Sequence, residues 1–271
     1  MPLRGVELVC REVDVSKLEP ADRDPKKLRA TAYKLVLLMV VGGIGLQYAY
    51  HNYQKRTGQS DRPTLLTKVT DETTLITSNK ERHDIQDLKG KVTLVLTLTK
   101  EIQPESQPSL DALKVVMAKF PDPEKRPHLL LFILDGSEEE PEAMSQILAD
   151  YGDESNVWRV ATDKDGKVSL RAFLKNRLRF GIYPRLEEGR YIYDSQIVLL
   201  DQHLHVRGQP GAPHGWDFEK VVGWAREFEQ AKVDHPDKDL TPVPITVEGL
   251  QNLLIQSIEY LYANPDEKGQ K

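Results

Sequence analysis

The chain has a single cysteine in 271 residues, Cys10. That excludes an internal disulfide, a CxxC redox pair and a cysteine-rich zinc site. It also lacks a basic excess, since 37 Lys and Arg stand against 42 Asp and Glu, for a net charge of -5. No nucleic-acid partner is expected from such a balance. There is no G-x-S-x-G, no HExxH, no phosphate-cradling glycine loop and no internal repeat. What remains is 39% apolar and 29% charged residues, which suits one globular domain with extra segments at either end.

One segment does not suit a soluble domain. From Leu35 the chain reads LVLLMVVGGIGLQYAY to Tyr50, with no formal charge. Tyr33, Tyr48, Tyr50 and Tyr53 lie at its ends, where aromatic rings favour the headgroup zone. From Tyr33 to Tyr53 a helix would reach roughly 30 Å, enough to span a hydrocarbon core. Gly42, Gly43 and Gly45 weaken a helix in water but are tolerated in lipid. A buried core helix and a cleaved signal peptide, with Ala49 as the small residue, are the alternatives. More than thirty residues precede the run, which is long for a signal n-region. The expectation is a retained anchor over 34–53.

Flanking charge sets the orientation. Arg23, Lys26, Lys27, Arg29 and Lys34 precede the span, and Lys55, Arg56 and Arg62 follow it. The bias puts the N-terminus inside. The larger C-terminal part then lies in a periplasm or a mitochondrial intermembrane space. Cys10 sits on the reducing side as a spectator thiol.

Beyond the anchor, a polar linker over 54–64 leads into alternating strands and helices. Leu65–Asp87 holds short β-prone runs such as TTLIT. KVTLVLTLT (Lys91–Thr99) is an apolar strand, and QPESQPSLDAL (Gln103–Leu113) follows it. The helix expected from Ser109 to Phe120 places Leu110, Leu113, Val116, Met117 and Phe120 on one face. HLLLFILD (His128–Asp135) is a continuous apolar run, as in a buried central strand. Then come a proline-led helix (Pro141–Tyr151), a strand (Val157–Thr162) and a basic helix (Val168–Phe180). A hairpin of QIVLLD (Gln196–Asp201) and LHVRG (Leu204–Gly208) and a helix from Phe218 to Lys232 complete the domain. The fold class predicted is α/β of thioredoxin-like type.

Other residues could carry chemistry. His203 and His205 are two apart and could share a strand face, with His214 nearby in the Gly/Pro-rich GQPGAPHGW. Solvated or packed histidines are the plainer expectation. Asp163–Lys167 hints at a calcium loop but lacks the distal glutamate, so a turn is expected. The acidic SEEEPE (Ser137–Glu142) reads as a helix start favoured by the dipole. The basic stretch Lys164–Arg190 reads as a solvated face, or one that docks on an acidic partner or anionic lipid.

The ordered set of segments resembles the Sco/SenC family, membrane-anchored thioredoxin-fold proteins of cytochrome c oxidase assembly. DLKGKVTLVLTLT (Asp87–Thr99) is similar to that family's strand before the metal loop. Leu130–Thr162 resembles its strand, proline-led helix and Trp-containing strand. YDSQIVLLDQHLHVRG (Tyr193–Gly208) resembles its distal hairpin. The resemblance covers roughly Thr64–Lys232. The family's loop carries two cysteines four apart, each followed by proline, and a histidine precedes the distal hairpin as third copper ligand. Laid on this chain, Pro104 and Pro108 match the prolines, Gln103 and Gln107 take the cysteine places, and Tyr193 takes the histidine place. An amide is a hard, neutral donor that neither holds Cu(I) nor exchanges disulfides as a thiolate does.

The resemblance implies a non-enzymatic, anchored protein without cofactor or metal, covering 65–232 with a Sco-like domain. It would act by binding, in assembly of a respiratory complex of the cytochrome c oxidase type or as its accessory subunit. Its expected partners are membrane-embedded subunits or assembly factors, together with the lipid bilayer. The alternative is a metallochaperone or thiol oxidoreductase that rebuilds a site from His203, His205 and His214. Residues 233–271 add a proline-rich linker and an amphipathic helix with Leu250, Leu253, Leu254, Ile258 and Leu261 on one stripe. That stripe needs an apolar surface, on its own domain or on a partner. The partner is favoured, because the domain should already be closed by the helix ending near Lys232.

Overall fold

The structure is a computed structural model. It describes residues 25–57, 62–70, 73–77, 80–135, 157–161, 168–236, 238 and 240–265. Cys10, the acidic run 137–142, the expected helix 141–151 and the turn 163–167 lie outside the described residues. The chain divides into two units, Met1–Tyr53 and Gln54–Lys271.

The described residues of the first unit all belong to one helix, α1, Pro25–Thr57. Pro25 suits a first helical position, where its missing N–H removes no bond. The window Thr31–Tyr48 is long and apolar enough to cross a membrane. Its side chains are not covered by protein, with Leu37 64%, Met39 74% and Leu46 75% exposed.

The second unit is built on six strands: β1 (Pro63–Lys68), β4 (Thr93–Leu98), β5 (His128–Ile133), β6 (Val157–Ala161), β9 (Val198–Leu200) and β10 (His205–Pro210). Their spatial order is β1-β10-β9-β4-β5-β6. β4 pairs parallel with β5, and β5 with β6. β9 runs antiparallel to β4, β10 to β9 and β1 to β10. Two hairpins stand apart: β2 (Thr74–Ile76) with β3 (Arg82–Asp84), and β7 (Arg185–Glu187) with β8 (Arg190–Ile192). A βαβ half through α2 (Gln107–Ala118) and a ββα half ending in α4 (Phe218–Asp234) meet side by side at β4 and β9. This is the thioredoxin-like arrangement that the sequence predicts.

The strands explain the two cores. All six residues of β4 and of β5 are buried, because helices or loops cover both sheet faces. Alternation sends Leu94, Leu96 and Leu98 to one face with Leu129, Leu131 and Leu199, under α2. Val95, Leu130, Phe132, Val198 and Leu200 point to the other, against Leu75, Ile85 and α3 (Val168–Asn176) through Phe173 and Leu174.

Three expectations are corrected here. Residues 63 and 64 are not linker, because β1 begins at Pro63 and zips onto the outer edge of β10. The helix starting at Val168 ends at Asn176 rather than Phe180, because Arg179 turns into the left-handed region (φ 64°). The third concerns α5 (Val247–Ala263), capped by Thr246, whose Oγ1 accepts from the Gly249 N–H at 3.1 Å. It packs on α2, α4 and β10 of its own domain. Leu250, Leu254, Ile258 and Leu261 are buried in the same core as Leu113 and Val116, and Leu253 is half-buried against them. The stripe favoured for a partner is therefore already covered. Its far end is pinned by the β9–β10 turn, where the Gln202 amide donates to the Leu261 carbonyl at 2.8 Å. Each such buried side chain contributes about 1.5–3 kcal/mol, more than a solvated helix could recover.

Candidate functional site

The loop after β4 starts as an extended residue, Gln103 (φ -79°, ψ 146°). Pro104 then opens a 3-10 turn to Ser106, closed by the Ser106 N–H donating to the Gln103 carbonyl at 2.9 Å. Gln107 begins α2 and Pro108 sits in its first turn. Both prolines occupy places where no backbone N–H is needed, so the QP-x-x-QP spacing shapes the loop itself.

Residues far along the chain complete the site. The β7–β8 hairpin and the stretch after it bring Tyr191, Tyr193, Asp194 and Ser195 against this loop. The Gln103 Nε2 donates to the Tyr191 carbonyl at 3.0 Å. The Tyr193 hydroxyl and the Ser106 Oγ lie 2.7 Å apart. Ser195 donates to the Glu105 carbonyl at 2.9 Å, and Thr97 to the Asp194 carbonyl at 2.6 Å. Arg190 Nη2 reaches both carboxylate oxygens of Glu105 at 2.6 Å. Gln107 stands apart: it is exposed and donates along its own helix to Asp111 Oδ1 at 2.8 Å. Gln103 and Tyr193 thus share a cleft of about 450 Å³, with Glu105, Asp194, Asp217 and Glu219 also on its walls.

The electrostatics follow from burial and neighbours. Burial pushes the Tyr193 phenol up, and its hydrogen bonds to Ser106 and Thr99 act the other way. Burial also raises the Asp194 carboxyl, which accepts from the backbone N–H groups of Gln196 and Gly181. Glu219 is raised by burial and then by the neighbouring Asp217 and Glu105. The Arg190 hydrogen bond holds Glu105 below the usual carboxylate range. Such a cleft can hold protons and hydrogen bonds, and it offers no soft donor.

Of the functional groups here, Arg190, Glu105, Asp194 and Ser106 were not singled out from sequence. Their long-range contacts bridge 85 to 97 positions along the chain, so no local pattern reports them.

The histidines do not converge. His205 is buried, and its Nδ1 lies 3.1 Å from Asp201 Oδ2. Burial lowers its pKa, against the pull of Asp201. The same carboxylate accepts from Arg207 Nη2 at 2.6 Å, forming a buried pair under β10. His203 turns to the Pro265 carbonyl at 2.9 Å, 5.9 Å from the His205 ring centre. Among the described residues, no group of three or more His, Cys, Asp or Glu side chains is placed to hold a metal ion.

No protein-family model and no curated protein sequence matches the chain. Solved structures do. A SCO1/SenC family lipoprotein from Bacillus anthracis str. Ames is 16% identical, with 62% of this chain and 98% of that one covered, at a TM-score of 0.45. Arabidopsis thaliana ScoI with copper bound is 11% identical over 70% and 98% of the two chains, at 0.41. Yeast Sco1 with copper bound is 15% identical over 64% and 96%, at 0.38. The chain is an α/β protein of thioredoxin-like fold, similar to Sco/SenC structures and distant from them in sequence.

Proposed function

We propose that the chain is a membrane-anchored, non-catalytic, Sco-like protein that acts by protein–protein binding. It serves in the assembly of a respiratory complex of the cytochrome c oxidase type, or as its accessory subunit. Residues 34–53 span the bilayer with the N-terminus inside. The domain stands in a periplasm or an intermembrane space.

The observation that carries this reading is the state of the three positions that the sequence resemblance sets against copper ligands. Gln103 is engaged with the Tyr191 carbonyl, Gln107 with Asp111 and Tyr193 with Ser106. These are hard oxygen and nitrogen groups satisfying one another, whereas Cu(I) selects thiolate. The one cysteine, Cys10, precedes the apolar helix, so the domain has no thiol with which to exchange disulfides. His203 and His205 are held by Pro265 and Asp201 rather than free to replace the lost ligands.

Two measurements test the proposal. Affinity purification of the tagged full-length chain from membranes should recover subunits of a respiratory complex. Cu(I) titration of the same preparation should show no tight stoichiometric site. The triple variant Gln103→Cys, Gln107→Cys, Tyr193→His should gain one. Tight Cu(I) binding by the parent would overturn the non-catalytic reading.

A further inference from the structure

Exposed apolar side chains are scarce outside α1. Of the seven large ones among the described residues there, Ile182, Tyr183 and Leu186 fall within five positions. They are 40%, 37% and 54% exposed. Gathered apolar groups of this kind mark contact surfaces, whereas scattered ones need no explanation. The segment is also fixed in place. Pro184, between them, is buried. The Gly181 N–H donates to the Asp194 carboxylate, and its carbonyl accepts from Lys175. A Cβ at position 181 would lie 2.7 Å from Asp194 Oδ2, so glycine permits that approach.

The patch opens onto the Tyr193 cleft. Ile182 is on the cleft wall, and Leu186 stands directly opposite Tyr191, another wall residue, across the β7–β8 hairpin. Paired residues of antiparallel strands send their side chains to the same side.

The cleft is acidic. Among the described residues its wall carries Glu105, Asp194, Asp217 and Glu219 against a single cation, Arg190. The Arg190 Nη2 is committed to both carboxylate oxygens of Glu105 at 2.6 Å. Asp194 and Asp217 accept from backbone N–H groups of Gln196 and Lys220, which bring no charge to them. Burial, then repulsion from Asp217, raises both the Asp194 and the Glu219 carboxyls, while Lys175 and Arg226, neither of them on the wall, pull the other way. Carboxylates without a counter-charge on the wall thus adjoin apolar groups without cover.

We propose that patch and cleft form one docking surface for a protein segment in which a lysine or arginine sits between apolar residues. The cation enters the cleft toward Asp217 and Glu219, and the apolar residues cover Ile182, Tyr183 and Leu186. Electrostatic complementarity sets the sign of the partner, because the same wall repels an acidic segment or an anionic bilayer. The inference rests on the reading that the chain acts by binding protein, and adds the place and the chemistry of the contact.

The test is isothermal titration calorimetry of the full chain in phosphatidylcholine nanodiscs. The probes are the peptide acetyl-GLKFG-amide and its analogue with norleucine in place of lysine. The lysine peptide should bind about tenfold more tightly, the scale of one charge-assisted bond. Asp217→Asn with Glu219→Gln should erase that preference at an unchanged melting temperature, since asparagine still caps α4. Ile182→Ser with Leu186→Ser should weaken both peptides about tenfold and keep the preference. Equal binding of the two peptides, a preference that survives the charge variant, or affinities unmoved by the serine variant overturns the proposal. So does quenching of the Leu186→Trp variant, read against the parent, in nanodiscs of brominated phosphatidylcholine, which would assign the patch to the bilayer. Affinity purification separates the two readings. If the parent recovers respiratory subunits and the charge variant recovers them equally, the surface is wrong and the binding reading stands. A parent that recovers none but prefers the lysine peptide would fail the earlier reading and support this one.

Discussion

The Tyr193 hydroxyl and the Ser106 Oγ are 2.7 Å apart across 87 positions of sequence. This contact ties the QPESQP loop to the stretch behind the β7–β8 hairpin. Ser106 is 1% exposed, so its hydroxyl would find no water if the tyrosine lost its own. Tyr193→Phe should therefore cost about 1–3 kcal/mol in denaturant unfolding. The double variant with Ser106→Ala should cost less than the two single changes summed. Strict additivity would show that the contact does not hold the loop.

The C-terminal helix should be a structural part of the domain. Leu254→Ala and Ile258→Ala each empty a site that is 0% exposed, and each should lower stability by about 2–5 kcal/mol. Deleting residues 240–271 should lower the melting temperature further. An unchanged melting temperature would mean that α5 is not docked in solution.

His128 should make the domain acid-sensitive. It is 2% exposed, stands edge-on to Trp158 at 5.0 Å, and neither ring nitrogen has a hydrogen-bond partner. Burial, with Lys91 and His83 adding repulsion, lowers its pKa from 6.5 to about 3. The unfolded chain thus binds a proton below pH 6.5 that the folded one refuses. Stability is unaffected by this group above pH 6.5 and falls between 6.5 and about 3, by at most about 1.4 kcal/mol per pH unit. His128→Phe should flatten that part of the stability–pH curve. An identical curve would show that other groups cause the acid loss.

α1 should keep the protein in the membrane. After an alkaline carbonate wash, the full-length chain should remain in the pellet. Protease added from the periplasmic or intermembrane side should remove the domain. Full-length chain in the wash supernatant would refute the anchor.

Much of the fold is legible in local pattern. The continuous apolar runs at Thr93–Leu98 and His128–Ile133 become strands buried on both faces, because only a doubly covered sheet can use such runs. The 3.6 period of Leu110, Leu113 and Val116 becomes the buried face of α2, and the uncharged run from Leu35 becomes the exposed apolar stretch of α1. The missing thiols were fixed by composition alone. Tertiary structure decided the rest. An amphipathic stripe states that Leu254 and Ile258 need cover without saying whose, and only the space beside α2, α4 and β10 supplied the answer. Arg190 meets Glu105, and Tyr193 meets Ser106, through a hairpin whose three-residue strands carry too few residues for a period to show. Side-chain periodicity encodes which face is buried, but the partner across 80 or more residues is chosen by how the whole chain packs.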